Sequence, residues 1–303
     1  MFWVLAAAGI ACAGTAQARA VARHKNICVA ANLQDAVQVG AYTFKSYAGA
    51  EGGSQICLQV LSGGKVVFRR RSHDGGHYTL GQPEDREMAI PFIPNGADLT
   101  GRGRPNMIAG HWSGGAHCCL THYVFELKPR LKLLATIHAQ DADQSHFTGP
   151  ESDGRYYYNS NDFVFAYFGG VFAGSPAPDI VLRWMETPAG GGFHLALDKM
   201  RQPAPDARQW QQTLDEVADG VQKGHAPQVL WRQVADLIYS GHPDLAWKFV
   251  AAAGPAAQDA RCGWPDLAAF CARLKASDYW RDIAPALKGA PRACRYARPN
   301  RYS

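Results

Sequence analysis

Residues 98–122 hold the densest group of potentially reactive side chains in this 303-residue chain. A glycine-punctuated acidic turn leads into a short apolar run, and a Ser-Gly-Gly loop then leads into His117-Cys-Cys-Leu-Thr-His122. Imidazole and thiolate groups are ligands that zinc and copper accept, so the segment has the chemistry for a soft metal. We name four side chains as candidate binding residues: His111, Ser113, His117 and His122.

The spacing of this cluster argues against one shared metal ion. Side chains alternate between the two faces of a strand, so His117 and Cys119 would share one face, and Cys118 and His122 the other. The spacing also matches no zinc-finger or deaminase signature. We therefore predict no metal and no cofactor, with zinc or copper as the alternative. The favoured interpretation is a disulfide at Cys118 or Cys119, to another cysteine or between the two.

Ser113 raises the possibility of a nucleophilic serine. A nucleophile elbow requires Gly-x-Ser-x-Gly between a strand and a helix. Here two residues separate Gly110 from Ser113, and the following segment has the composition of a strand. We therefore predict a tight turn and assign no catalytic residue. An exported hydrolase centred on His111–His122, with or without a metal, is the alternative function.

The N-terminus predicts export. Residues 1–20 form an apolar run that ends in small residues, with Ala16-Gln-Ala18 as a cleavage-type triplet. This pattern is typical of a secretory signal peptide, and the run is too short to span a membrane. An alternative start to the mature chain would be Cys12, as in a lipoprotein. We predict a periplasmic or secreted protein with no transmembrane segment.

Because an oxidising compartment favours disulfides, the predicted export implies that most of the cysteines are paired. Seven cysteines follow the signal peptide and are disulfide candidates: Cys28, Cys57, Cys118, Cys119, Cys262, Cys271 and Cys294. We predict a Cys28–Cys57 bridge and one bridge among the last three. The odd number leaves one thiol unpaired or otherwise engaged.

Residues 26–203 are rich in glycine and in short β-prone runs. Two such runs flank Ser62-Gly-Gly64 and predict a hairpin over 57–69, and a second hairpin is predicted over 120–138. We predict a single strand over 39–47. The short strands, with no helical periodicity between them, predict an antiparallel β-rich domain, arranged as a partial propeller-like or open sheet assembly.

Residues 206–290 have helical periodicity. Pro227, Pro243 and Pro265 each stand where a helix would begin, and Gly241 stands just past the end of one. We predict a small all-α domain here, which makes the protein α+β, and a basic flexible tail over 291–303. The net charge of +5 is mild, and the chain shows neither a continuous basic groove nor a nucleic-acid-binding module, so nucleic acid is excluded as a partner.

The segment Asp98-Leu-Thr-Gly-Arg-Gly-Arg-Pro-Asn106 resembles the acidic loop of FG-GAP repeats, which build β-propellers in integrin-like and bacterial exported proteins. This resemblance implies oxygen ligands for calcium at Asp98, Thr100, Arg102 and Asn106. A guanidinium cannot coordinate a cation. We therefore predict a degenerate calcium-type loop of Asp98, Thr100 and Asn106 that has lost its ion.

Three further motifs are similar to segments of uncharacterised bacterial exported proteins. They are the stretches Trp112–Cys119, Ser175-Pro-Ala-Pro178 and Asp236–Trp247. The resemblance implies a family but no activity. We predict an exported, non-enzymatic interaction or envelope-associated protein of unknown ligand, whose partner is another protein or an envelope component.

Overall fold

The protein is α+β, with its strands first and most of its helices in the C-terminal half. The computed structural model describes residues 27–49, 55–115, 119–142, 144–188, 190–223, 228–254 and 264–300. The predicted signal peptide, His117, Cys118 and Cys262 lie outside these ranges. The strands are β1 Leu33–Val39, β2 Tyr42–Ala48, β3 Ile56–Ser62, β4 Lys65–Ser72, β5 His77–Leu80, β6 Asn106–Trp112, β7 Leu120–Glu126, β8 Lys132–Gln140, β9 His146–Thr148, β10 Tyr157–Asn161, β11 Asp179–Thr187 and β12 Gly190–Leu195.

The helices begin with the signals that the sequence contains. Asp206 forms a capping box with Gln209 at the start of the second helix, and Pro243 occupies the first turn of the fourth. The helices are α1 Leu197–Met200, α2 Ala207–Gln222, α3 Gln228–Tyr239, α4 Pro243–Ala253, α5 Leu267–Lys275, α6 Trp280–Ile283 and α7 Arg292–Tyr296. Within the described ranges, none of these helices combines the length and apolar character needed to cross a bilayer.

The described strands form three antiparallel sheets of four strands each. Each sheet is a meander, in which strands adjacent in the chain are adjacent in the sheet: β1 to β4, β5 to β8 and β9 to β12. The two predicted hairpins are present as β3–β4 and β7–β8. The strand predicted over 39–47 is present for most of its length as β2, but it begins at Tyr42, because Gly40 has a φ of +58° and turns the chain between β1 and β2. As described, the sheets close into neither a barrel nor a propeller.

The second sheet is buried on both faces. Successive residues of a strand point to opposite sides, so Met107 and Ile108 of β6 enter different cores. Met107 packs in a cluster with Phe44 of the first sheet, whereas Ile108 packs in a cluster with Phe147 of the third. The first and third sheets therefore cover opposite faces of the second.

The helices pack on the third sheet. The predicted apolar face of α3, which includes Leu230, Val234 and Leu237, is buried. These side chains belong to the same hydrophobic cluster as Ile180 and Leu182 of β11. The last described strand ends at Leu195 and α1 follows at Leu197–Met200, ahead of the predicted boundary of 203–206. Apolar side chains from both parts share one cluster. The assignment of two domains stays a prediction.

Disulfides anchor both ends of the described chain. Cys28 is bonded to Cys57 in β3, as predicted, and Cys271 in α5 is bonded to Cys294 in α7. Cys119 is also disulfide-bonded. The structure thus places a short, covalently attached helix within the segment that we predicted as a basic flexible tail.

Candidate functional site

The strand register separates the histidines of the glycine-rich segment. In the pairing of β6 with β7, His111 lies opposite Thr121, and Gly110 lies opposite His122. His111 therefore faces the first sheet and His122 faces the third. Within the described residues, no group of three or more His, Cys, Asp or Glu side chains could hold a metal ion. The segment does not bring its described candidate residues to a common point.

His111 lies in the interface between the first and second sheets. Its ring stacks on Tyr78 of β5, with centroids 4.9 Å apart, and burial lowers the pKa of the imidazole. Its Nε2 atom is buried and has no hydrogen-bond partner among the described residues. A neutral imidazole fits this environment better than a charged one.

His122 has a different partner on the other side of the sheet. Its Nδ1 atom lies 2.6 Å from the hydroxyl of Tyr158, which is fully buried in the third sheet. Burial lowers the pKa of His122 to about 4, and burial also raises the pKa of Tyr158. Both side chains are therefore neutral near pH 7, and their hydrogen bond connects two sheets.

Ser113 closes the loop between β6 and β7. Its hydroxyl oxygen accepts a hydrogen bond from the backbone N–H of Cys119 at 2.6 Å, and its own N–H donates to the Cys119 carbonyl at 3.1 Å. This arrangement agrees with the predicted tight turn. Ser113 thus has a role in fixing the loop that carries Cys119.

The calcium-type loop is held by hydrogen bonds from its own chain. The Asp98 carboxylate accepts bonds from the Thr100 hydroxyl and from the backbone N–H groups of Arg102 and Gly103. The Thr100 hydroxyl in turn accepts a bond from Nε of Arg102 at 3.2 Å. Asn106 is buried and donates its amide to the Phe125 carbonyl. The Asp98 and Thr100 oxygens that the resemblance assigns to calcium are thus engaged with protein donors, whereas Oδ1 of Asn106 is buried and has no hydrogen-bond partner among the described residues.

Arg102 links this loop to two sheets. Its guanidinium is paired with the buried carboxylate of Glu126 at the end of β7, and it lies 3.5 Å from the Glu186 carboxylate on β11. The same group lies 4.6 Å from the centre of the Trp184 ring. Arg102 therefore supplies a positive charge at the loop and bridges the second and third sheets.

We expect Arg102→Ala to lower the free energy of unfolding by about 2 kcal/mol, because it removes the least exposed cationic partner of the buried Glu126 carboxylate. Arg104→Ala is the matched control, since Arg104 also contacts Glu126, at 3.1 Å, but is nearly half exposed. We expect a loss below about 1 kcal/mol there. Urea-induced unfolding measures the free energy of unfolding of both variants, and equal losses in the two would contradict the role given to Arg102.

Calcium or a chelator should leave the melting temperature of the wild-type protein unchanged.

A set of polar groups lies outside this segment, around a cavity of about 460 Å³ between the third sheet and helices α1 and α3. We call it the motif cavity, because two of the family-like motifs meet there. Pro178 and Asp179 come from the end of the Ser-Pro-Ala-Pro segment, and Asp236, Tyr239 and Ser240 come from the Asp236–Trp247 segment. Side chains of β9, β10 and α1 also line the cavity, among them His146, Asn159, Ser160, Asn161, Lys199 and Met200.

Asp236 is a titratable group of this cavity whose pKa departs from its ordinary value. Its carboxylate is solvent-accessible but is surrounded by protein on α3. That partial burial, together with the negative charge of Asp179, raises the pKa of Asp236 to about 6, and Arg232 acts in the opposite direction. A pair of carboxylates in one cavity is the kind of perturbed cluster that marks functional sites.

The raised pKa of Asp236 predicts a pH-dependent effect of Asp236→Asn. The folded protein binds this proton more tightly than the unfolded chain does, whose pKa is near 3.8. The contribution of Asp236 is therefore largest at acid pH and declines as the pH rises from about 4 to above 6. We expect Asp236→Asn to raise the melting temperature at pH 7.5 and to have no such benefit at pH 4. The exposed Asp215→Asn variant serves as the control, and an effect of equal size at both pH values would contradict the prediction.

The sequence placed two carboxylates at or beside motifs, but it did not show that they line one cavity. Asp179 directly follows one family-like motif, and Asp236 begins another. We treated these motifs as marks of family and named neither carboxylate as a candidate. Only the packing of α3 against β11 places the two acids around one cavity.

Comparison with known proteins found no relative of this chain. No protein-family model matches the chain. No curated protein and no solved structure matches it either.

Proposed function

We propose that this chain is an exported binding protein, without catalytic activity, that holds a small hydrophilic ligand in the motif cavity. The observation that carries the proposal is that two family-like motifs, far apart in the sequence, supply facing walls of one polar cavity. Binding sites commonly lie at such junctions between packed elements, where a few polar groups orient the ligand. Its further partner would be another protein or an envelope component.

Other features support the same proposal. The bonds of Ser113 to Cys119 and of His122 to Tyr158 are architectural, as expected of a segment that only fixes strands. The Cys28–Cys57 bond is compatible with an oxidising compartment outside the cytoplasm. Three consecutive four-stranded meanders are also compatible with an FG-GAP-type, partial propeller-like arrangement, since propeller blades are sheets of this kind.

Calorimetry with the purified full chain tests the proposal. We expect D-glucose or D-glucosamine, as small hydroxylated probes, to bind with one-to-one stoichiometry. Ser240→Phe, which places a ring in the cavity wall, should abolish that binding. Gln212→Phe adds the same ring on the exposed surface of α2 and should leave binding unchanged. Failure of both probes to bind the wild-type protein, or binding unaffected by Ser240→Phe, would overturn the proposal.

A second candidate function, an exported hydrolase, is favoured by one observation outside the glycine-rich segment. Nδ1 of His194 on β12 lies 2.9 Å from the Asp282 carboxylate on α6, whose other oxygen accepts the N–H of Leu195 at 3.0 Å. The pair lines a separate cavity of about 450 Å³ that also contains His138 and Arg281. A histidine oriented by a carboxylate has the geometry of a general base for water.

An esterase assay separates this second candidate from the first. If His194 is a base, the protein should hydrolyse p-nitrophenyl acetate faster than buffer does, and His194→Ala should remove the excess rate. Lys288→Ala, a change outside that cavity, should not. A wild-type rate equal to that of buffer would exclude ester hydrolysis at this site.

A further inference from the structure

The two carboxylates of the motif cavity make its wall negative. Asp179 begins β11, Asp236 lies on α3, and both line the cavity. Burial first, and the negative charge of Asp179 second, disfavour the ionised form of Asp236. A cation between the two carboxylates would relieve this repulsion, because each would then face an opposite charge.

The amides of β10 add hydrogen-bond acceptors to the same wall. Nδ2 of Asn161 donates to the Ala177 carbonyl at 3.0 Å and to the Asp179 carboxylate at 2.8 Å. Nδ2 of Asn159 donates to the Thr148 hydroxyl at 3.0 Å. Both amides thus use their N–H groups within the protein. Their Oδ1 atoms accept no hydrogen bond from the described residues and are available as acceptors.

The positive groups nearby are already engaged. Nζ of Lys199 is paired with the Glu151 carboxylate and lies 4.8 Å from the centre of the Tyr157 ring. The Arg232 guanidinium donates to the Gly174 carbonyl at 3.2 Å. Lys199 is therefore paired with a carboxylate other than Asp179 or Asp236, and the Arg232 charge, which lowers the pKa of Asp236, only partly offsets the burial and the Asp179 charge that raise it.

Two further residues, His146 and Tyr239, line the cavity with Asp236, and neither adds a carboxylate or directs a hydroxyl donor at the ligand space. Nδ1 of His146 lies 2.6 Å from the Gln144 carbonyl, which can only accept, so Nδ1 is the donor of this hydrogen bond. The Tyr239 hydroxyl donates to the buried Asp162 carboxylate at 2.6 Å and is directed away from the ligand space. The wall of the cavity thus combines an excess of acceptors with negative charge.

We infer that the motif cavity selects small hydrophilic ligands that carry a primary ammonium group, such as an amino sugar or a diamine. An ammonium offers three N–H donors and a positive charge, which match a wall of acceptors and two carboxylates. This inference rests on the proposed function and specifies its ligand class.

Calorimetry with matched sugars near pH 7 tests the inference. D-Glucosamine and N-acetyl-D-glucosamine share their ring hydroxyls, but acetylation removes the charge of the amine. We expect D-glucosamine to bind at least about tenfold more tightly than the acetylated sugar or D-glucose. Putrescine, a diamine without hydroxyls, should compete with it. Asp236→Asn and Asp179→Asn should each remove most of this preference, whereas the exposed Asp215→Asn should not.

The outcomes distinguish the two proposals. Equal affinity for D-glucosamine and D-glucose, with both lost in Ser240→Phe, would overturn the ammonium preference and leave the binding function intact. Binding of neither D-glucose nor D-glucosamine would overturn both proposals, because the ligand class rests on the binding function. One-to-one binding of calcium that depends on Asp179 and Asp236, without binding of any amine, would overturn the ammonium preference in favour of a metal.

Discussion

Replacing Phe270 with alanine is expected to lower the free energy of unfolding by about 3–5 kcal/mol, the usual cost of removing a fully buried phenylalanine ring. Phe270 of α5 is completely buried and stacks on two other buried rings. The centroid distances are 4.8 Å to Phe165, in the β-rich part of the chain, and 5.1 Å to Trp231 of α3. The cavity would therefore open at the junction of the strands and the helices. Urea-induced unfolding, followed by tryptophan fluorescence, measures the loss.

The control for this prediction is Tyr296→Ala, because Tyr296 is 73% exposed and its removal should cost less than about 0.5 kcal/mol. A loss below about 1 kcal/mol for Phe270→Ala would contradict the burial of this ring. The same experiment tests the predicted domain organisation. We expect one cooperative transition, because one hydrophobic cluster contains side chains from both parts. Two separate transitions in the wild-type protein would instead indicate independent domains.

Replacing Asp162 with alanine is expected to cost a similar 3–5 kcal/mol, because it leaves several buried donors without their acceptor. The Asp162 carboxylate accepts hydrogen bonds from the hydroxyls of Tyr239 and Ser277 at 2.6 and 2.5 Å, and from the N–H of Val164 at 2.9 Å. These donors come from the end of α3, from the segment after α5 and from the loop after β10. Chemical denaturation measures the loss, and Asp215→Ala on the exposed face of α2 is the matched control.

Asp162→Asn tests the same network through its pH dependence. Burial raises the pKa of Asp162 above its ordinary value of 3.8, so the folded protein holds this proton more tightly than the unfolded chain. The stability of the wild type relative to Asp162→Asn should therefore be greatest at acid pH and fall as the pH rises above about 4. A difference that grows with pH would contradict the raised pKa.

The strand and helix pattern was predictable because its signals are local. The alternation of apolar and polar residues and the Ser62-Gly-Gly64 turn place β3 and β4 correctly, and Pro243 marks the first turn of α4. The error at the start of the 39–47 strand is also local. Gly40 is a single glycine between β-prone residues, so its neighbours suggest a strand, but its backbone has the conformation of a turn. Such a position is ambiguous until the register of its neighbours is known.

The candidate site was less predictable, because it depends on contacts between distant segments. Within residues 98–122, reactive residue types lie close together in sequence, but the pleat of β6 and β7 sends His111 and His122 to opposite faces. Arg102, which disqualified the loop as a normal calcium site, is placed by the structure between Glu126 and Glu186. No local pattern indicates which carboxylates a surface arginine will meet.

The sequence by itself determined the α+β class and the succession of strands followed by helices, because these features follow from periodicity and from glycine and proline positions. It left the disulfide connectivity open, and the structure bears out the predicted Cys28–Cys57 pair. The tertiary structure decided which polar side chains share a space, above all Asp179 and Asp236. That juxtaposition arises when the apolar face of α3 is buried against the third sheet, and burial of an apolar face depends on the whole core, not on the residues that line the cavity.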